Sequence, residues 1–246
     1  MRRNCITSAK NILPDEKVLD VFTTFIIIAD SPNPRMRSYG PTSLLNVGDK
    51  KLIDIQVLEI IKYFSNYEII LCTGFESDKI NRYIKSRYKQ INIRTVENQN
   101  YDTTNSCETL RLALNNITND NIFILDGNLI FDGKVFINDH KKSYILFETD
   151  NKTLEVGMNI NENGQTEHIG FGAINYWSEI MYLNEPVIIS AFTKHLMNSN
   201  FKRKFIFEAI NSILNSRINI TALKNNNSVY KIQGVKYYHK VKGLKK

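Results

Sequence analysis

The chain has 246 residues, and its 42% hydrophobic content is enough for one sizeable α/β core. Its formal net charge of +7 and its pI near 9.2 favour partners that carry phosphate groups. Three widely spaced cysteines argue against a disulfide framework or a zinc site, and no apolar segment approaches the ~20 residues of a membrane-spanning helix. We therefore expect a soluble, cytoplasmic protein without membrane insertion.

Predicted strands and helices alternate along the first half of the chain. Residues 1–21 show no clear period and are expected to form an N-terminal extension. The run FTTFIIIAD is typical of a strand buried on both faces, and further strands are predicted for YEIILCTG, INIRTVE and NIFILDG. Helices are predicted for residues 52–64 and 77–89 and for SCETLRLALNNI. This alternation predicts a Rossmann-like three-layer α/β/α fold with a mostly parallel, mixed central sheet.

The second half is less regular. Strands are predicted for SYILFETD, LEVGMNINENG and HIGFGAINYW, helices around residues 187–199 and 205–215, and short strands for INITALKN and SVYKIQGV. We expect these elements to extend the sheet within a single domain, residues 22–235. Residues 236–246 are expected to form a solvated basic C-terminal tail, although contact with nucleic acid or an anionic surface is an alternative.

Parallel sheets of this kind bind ligands beyond the carboxyl ends of their strands. The loops at residues 30–41, 74–77, 98–106 and 126–128 follow predicted strands. We therefore expect them to surround one crevice.

Three segments of the chain carry a family resemblance: IADSPNPRM with the following PTSLL and KLI, NQNYDTTNSCETL, and DGNLIF. Between Phe25 and Asp132 the chain resembles the nucleotidyltransferase superfamily, which joins an NTP to a phosphorylated sugar, choline phosphate or similar molecule and releases pyrophosphate. The corresponding family forms are LAAGxGxRM, PKxLL, NxxYxxTNSxxSL and GDxxF. The resemblance implies a GT-A-like nucleotidyltransferase fold.

The first segment departs from the family at its phosphate loop. The family needs two glycines there because the backbone must approach the phosphates and point its N–H groups at them. Ser31 and Asn33 stand at the glycine positions, and Pro32 and Pro34 each remove a backbone donor. Arg35 matches the family and is able to clamp a phosphate or a carboxylate.

Further substitutions surround this loop. Thr42 replaces the family lysine, and a hydroxyl cannot supply the charge that steadies a leaving pyrophosphate. Asp30 adds a carboxylate beside the loop, where relatives have a small apolar residue. From the resemblance we expect Ala29, Asp30, Ser31, Asn33 and Thr42 to contact a ligand.

The second segment keeps the order and spacing of the family motif. Asn98, Tyr101, Thr104, Asn105 and Ser106 stand at positions that help build the nucleotide and acceptor pocket in relatives. Thr104 and Ser106 are also good helix caps, so an ordinary polar loop is the alternative interpretation.

The third segment lacks the family aspartate that holds catalytic Mg²⁺, since Asn128 occupies that position. Asp126 lies two residues earlier, displaced by ~6.6 Å along an extended strand, and is either a relocated metal ligand or simply the end of a strand. Near the C-terminus, relatives often carry a second carboxylate in an (E)ID motif. Its best counterpart is YKIQ, in which Lys231 and Gln233 replace the two acidic residues.

These substitutions lead to two functional hypotheses. The favoured one is a nucleotidyltransferase-fold protein whose transfer chemistry is lost or very weak, and which acts as a ligand-binding or assembly protein. The alternative is an active nucleotidyltransferase that needs Mg²⁺. Candidate catalytic residues are Arg35 and Asp126, and Asp126 and Asn128 are the candidate metal ligands. The expected ligand is a nucleotide or a phosphorylated small molecule, and nucleic acid is the least favoured partner.

Overall fold

The computed structural model describes residues 19–33, 35–149 and 155–242, so Pro34 and most of the expected N-terminal extension lie outside the described residues. Its strands are β1 Thr23–Ala29, β2 Asn46–Val47, β3 Lys50–Lys51, β4 Tyr67–Thr73, β5 Ile93–Glu97, β6 Ile122–Asp126, β7 Leu129–Phe131, β8 Tyr144–Glu148, β9 Val156–Ile160, β10 Thr166–Phe171, β11 Asn175–Leu183, β12 Thr221–Lys224 and β13 Val229–Lys231. Its α-helices are α1 Leu52–Tyr63, α2 Ser77–Arg87, α3 Ser106–Leu114, α4 Pro186–Met197, α5 Ile206–Asn215 and α6 Val235–Lys242.

Nine strands form one mixed sheet with the order β10-β9-β11-β6-β1-β4-β5, and β8 and β12 are attached through β11. The pairs of β1 with β4, β1 with β6 and β4 with β5 are parallel, whereas β11 runs antiparallel to β6. The predicted Rossmann-like α/β fold with a mostly parallel, mixed central sheet is therefore confirmed.

The central strand β1 explains why its sequence is apolar without alternation. Phe25 and Ile27 face a core that includes residues of α1 and α2, while Ile26 and Ile28 face a second core with residues of α3, α4 and α5. A strand with helices on both sides must be apolar on both faces.

Two segments differ from expectation. The stretch HIGFGAINYW forms parts of two strands, because Gly172 turns the chain between β10 and β11 with φ +81°. Residues 235–242, expected to belong mainly to a solvated tail, form helix α6. Tyr238 and Val241 lie three positions apart on one face of α6 and are buried in a cluster with Met36 and Leu45.

Among the residues that the structure describes, no helix is both long and apolar enough to cross a membrane. The longest of the α-helices described, α1 and α4, have 12 residues each.

Candidate functional site

A cleft of about 590 Å³ opens at the carboxyl ends of β1 and β6. The loop after β1 and the start of α3 line one part of it, and residues of β11, the start of α5 and the segment after β13 line the rest. The cleft therefore lies where a parallel sheet is expected to bind a ligand.

Many of the predicted site residues line this cleft: Ala29, Asp30, Ser31, Asn33, Arg35, Asn105, Ser106, Asp126 and Asn128. Thr42, Asn98, Tyr101 and Thr104 are not part of its lining, and neither is the loop at residues 74–77. The roles of all these residues in binding or catalysis stay predictions.

The loop after β1 is held by hydrogen bonds to Asn33. The Asn33 side-chain oxygen accepts a hydrogen bond from the Arg35 backbone N–H at 3.2 Å, and the Asn33 carbonyl accepts one from the Met36 N–H at 2.8 Å. These contacts use backbone donors that a glycine-rich loop would offer to a phosphate. The Arg35 side chain is exposed and lines the cleft.

Asp30 is a buried carboxylate, with 3% of its surface exposed. The Thr109 hydroxyl donates to one of its oxygens, and the Ser31 hydroxyl donates to the other at 3.2 Å. Burial raises the pKa of Asp30, and these hydrogen bonds oppose that shift. The Asn98 side-chain amide donates to the hydroxyls of Thr109 at 2.8 Å and Thr104 at 3.0 Å. Asn98 and Thr104 thus belong to a network behind the cleft wall.

The start of α3 is tied to the loop before α5. The Asn105 side chain caps α3 by accepting a hydrogen bond from the Ser106 N–H at 2.8 Å. The Asn105 N–H donates to the Lys202 carbonyl at 2.8 Å, and the Ser106 hydroxyl accepts from the Ile206 N–H at 3.1 Å. Both polar side chains therefore contribute to the structure of the cleft wall.

The turn after β6 is crowded and well anchored. Asp126 Oδ1 accepts a hydrogen bond from the Asn128 N–H at 2.6 Å, and the Gln56 side chain donates to the Gly127 carbonyl at 3.2 Å. A Cβ at Gly127 would lie 2.7 Å from the Cβ of Ala29, so only glycine fits there without a shift of the backbone.

An ion-pair cluster of three side chains lies in the cleft. The Lys231 ammonium is 2.5 Å from Glu179 Oε1 and 3.6 Å from Asp126 Oδ2. Burial by itself lowers the pKa of Lys231, but the two carboxylates together raise it above its ordinary value. Burial raises the pKa of Glu179 to about 8, and Asp126 adds to this shift while Lys231 opposes it.

Sequence reasoning missed Glu179. Within β11, Glu179 follows the residues that pair with β9 and precedes the residues that pair with β6. The register between β11 and β8 also shifts at this point. The Glu179 φ of +56° is uncommon for a residue with a side chain, and such strain often marks a functional site. The one available signal was a glutamate inside the otherwise largely apolar run NYWSEIMYL.

Mg²⁺ does not fit the residues present. Asn128 and Gln233 bring no negative charge, and both oxygens of Asp126 already face donors, the Asn128 N–H and the Lys231 ammonium. Within the described part of the chain, no group of three or more His, Cys, Asp or Glu side chains is arranged to hold a metal ion. A cation of the protein itself lies among the carboxylates that a divalent ion would require.

Three phenylalanines, Phe171, Phe205 and Phe207, form an aromatic rim on the cleft. The rings of Phe205 and Phe207 stack with centroids 5.6 Å apart, and Phe171 meets Phe207 edge-on at 6.1 Å. Phe171 is 73% exposed and Phe205 51% exposed. Nearby, Trp177 is buried in the cleft wall, and its indole N–H has no acceptor among the described residues.

Comparison with solved structures identifies the architecture. CTP:phosphocholine cytidylyltransferase from Streptococcus pneumoniae superposes with a TM-score of 0.74 at 20% sequence identity, over 90% of this chain and 97% of that chain. The chain has the nucleotidyltransferase fold. The resemblance suggested by the sequence motifs is thus confirmed at the level of the fold.

Two further structures support the assignment of the nucleotidyltransferase fold. The inositol-1-phosphate CTP transferase from T. maritima matches with a TM-score of 0.70 at 11% identity, over 90% of this chain and 96% of that one. A UDP-glucose pyrophosphorylase complexed with UDP-glucose matches with a TM-score of 0.70 at 14% identity, over 90% and 97% of the two chains. No protein-family model and no curated protein sequence matches the chain.

Proposed function

We propose that this protein binds a nucleotide or a phosphorylated small molecule in the cleft, and that its nucleotidyl-transfer chemistry is lost or severely weakened. The observation that carries this proposal is the pairing of the Lys231 ammonium with Asp126 and Glu179. Nucleotidyl transfer depends on neutralising phosphate charge in the transition state. A single electrostatic contact commonly stabilises a transition state by ~3 kcal/mol.

Several features support a retained ligand site. The cleft has the volume of a small-molecule site and combines apolar walls with a few polar groups. Arg35 lines the cleft and offers a guanidinium to a phosphate. The neighbours in the structural comparison are named for phosphocholine, inositol 1-phosphate and UDP-glucose, and these compounds are the first candidates for the ligand.

Binding is tested by calorimetry or thermal shift with CTP, UTP, UDP-glucose, phosphocholine and inositol 1-phosphate. We expect at least one of these compounds to bind. Arg35→Gln should weaken its affinity about tenfold or more, because a hydrogen bond to a charged group contributes about 1.5–3 kcal/mol. Arg217→Gln is the matched control, since Arg217 is exposed and absent from the cleft lining. The absence of any binding would favour an assembly role instead.

Transfer is tested by pyrophosphate release from each NTP, with Mg²⁺ or Mn²⁺ and each phosphorylated acceptor. We expect no turnover above that of the Asp126→Asn variant. The alternative is an active enzyme whose carboxylates are rearranged. Its carboxylates would be those of Asp30, Asp126 and Glu179, which all line the cleft. Turnover that disappears in Asp126→Asn would establish this alternative and refute the loss of chemistry.

A further inference from the structure

The ion-pair cluster joins three distant parts of the chain. Lys231 ends β13, Asp126 ends β6, and Glu179 projects from the irregular part of β11. A lysine ammonium has three hydrogen-bond donors. Among the described residues, Glu179 and Asp126 are the two acidic side chains that it contacts, at 2.5 Å and 3.6 Å. Of these two contacts, only the one with Glu179 is short enough for a hydrogen bond, so the geometry leaves donor capacity on Lys231 for a group inside the cleft that it lines.

We propose that Lys231 is a built-in cation that takes the place of a divalent metal, so that the cleft excludes metal ions and binds the phosphate of its ligand without one. This inference rests on the proposed function for its phosphate-binding part. Its metal-exclusion part concerns the protein alone.

Metal exclusion follows from charge and geometry. A divalent ion bound to Asp126 or Glu179 would lie within a few ångströms of the Lys231 ammonium, and like charges at that distance repel strongly in a partly buried site. The ion would have to displace the ammonium from its carboxylates. The side chain of Lys231 is only 21% exposed, so a displaced ammonium would be left largely buried and unpaired, which is unfavourable.

Phosphate binding follows from the position of the same group. A lysine ammonium binds phosphate as a compact point charge, and Arg35 lines the same cleft with a planar guanidinium. The two carboxylates hold Lys231 in place before the ligand arrives. Such preorganisation lowers the entropic cost of binding.

The first experiment titrates the protein with Mn²⁺ alone and follows the free ion by electron paramagnetic resonance. We expect no binding by the wild type at millimolar Mn²⁺. Lys231→Glu should gain a site at least tenfold tighter, because three carboxylates would then converge. Adding Asp126→Asn to that variant should remove the gain. Wild-type protein that binds Mn²⁺ as tightly as Lys231→Glu overturns metal exclusion.

Charge reversal at a buried position carries a risk of misfolding, so Lys231→Gln provides a second variant. It removes the ammonium without adding a carboxylate, and circular dichroism reports whether each variant folds. If Lys231→Glu does not fold, Lys231→Gln decides the outcome. A Mn²⁺ affinity at least tenfold above wild type supports the inference, and an unchanged affinity overturns it.

The second experiment measures binding of inorganic pyrophosphate by calorimetry, in EDTA and in Mg²⁺. We expect the wild type to bind pyrophosphate at least as tightly in EDTA as in Mg²⁺. Lys231→Gln should bind pyrophosphate about tenfold more weakly than the wild type. Lys236→Gln is the control, because Lys236 is exposed and does not line the cleft. Binding that requires Mg²⁺ overturns the inference. Absence of binding in both buffers refutes phosphate binding and counts against the proposed function, while the Mn²⁺ titration still decides metal exclusion.

Discussion

The Thr109 hydroxyl donates a hydrogen bond to the buried Asp30 carboxylate, although the two residues lie 79 positions apart. This contact connects the end of β1 with the interior of α3, and Asn98 extends the network through its bond to Thr109. Two of the segments that carry the family resemblance are therefore joined behind the cleft, independently of any ligand.

Thr109→Val should destabilise the protein by about 1–3 kcal/mol, because it removes one of the two hydroxyl donors to a buried carboxylate and leaves one of its oxygens without that partner. Urea denaturation at pH 7 measures the free energy of unfolding. Thr103→Val is the matched control, since Thr103 is exposed, and it should change stability by less than ~0.5 kcal/mol. Equal effects of the two substitutions would show that the network around Asp30 contributes nothing to stability.

The raised pKa of Glu179 predicts a pH-dependent stability. Burial raises this pKa from 4.5 to about 8, so the folded state binds the proton more tightly than the unfolded state. Its stabilising contribution is complete below pH 4.5 and is lost as the pH rises to about 8. The free energy of unfolding of Glu179→Gln should therefore fall less steeply across this window than that of the wild type.

This prediction is checked by urea denaturation from pH 5 to pH 8.5. Glu167→Gln serves as the control, because Glu167 is exposed and absent from the cleft lining. Its curve should run parallel to that of the wild type. If Glu179→Gln also gave a parallel curve, proton binding by Glu179 would not be coupled to folding.

The sequence was sufficient for the parallel strands of the first half of the chain, because local patterns determine them. The apolar run of β1 indicates burial on both faces, and the turn formers after it indicate the edge at which ligands bind. The contact of Lys231 with Glu179 spans 52 positions and depends on a register break in β11, so no local pattern contains it. Helix α6 was missed because its lysines dominate the composition and obscure the pair Tyr238 and Val241.

Gly127→Ala should destabilise the protein, since the added Cβ would approach Ala29 Cβ at 2.7 Å and the Ile28 carbonyl at 2.8 Å. Overpacking of this kind typically costs about 1–3 kcal/mol. Gly234→Ala is the control, because nothing lies within 4 Å of a Cβ built there. Thermal denaturation of both variants provides the measurement. A melting temperature for Gly127→Ala equal to that of Gly234→Ala would mean that the turn after β6 relaxes without cost.

Helix α6 should contribute to the stability of the domain rather than form a solvated tail. Tyr238 is buried against Met36 and Leu45, whereas its neighbour Tyr237 is exposed. Tyr238→Ala should lower the free energy of unfolding by about 3 kcal/mol, as expected for truncation of a buried aromatic side chain. Tyr237→Ala makes the same chemical change on the exposed face and should have a much smaller effect in urea denaturation. Similar values for the two variants would indicate that α6 does not pack on the domain in solution. A loss confined to Tyr238→Ala would establish that residues 235–242 are part of the folded domain.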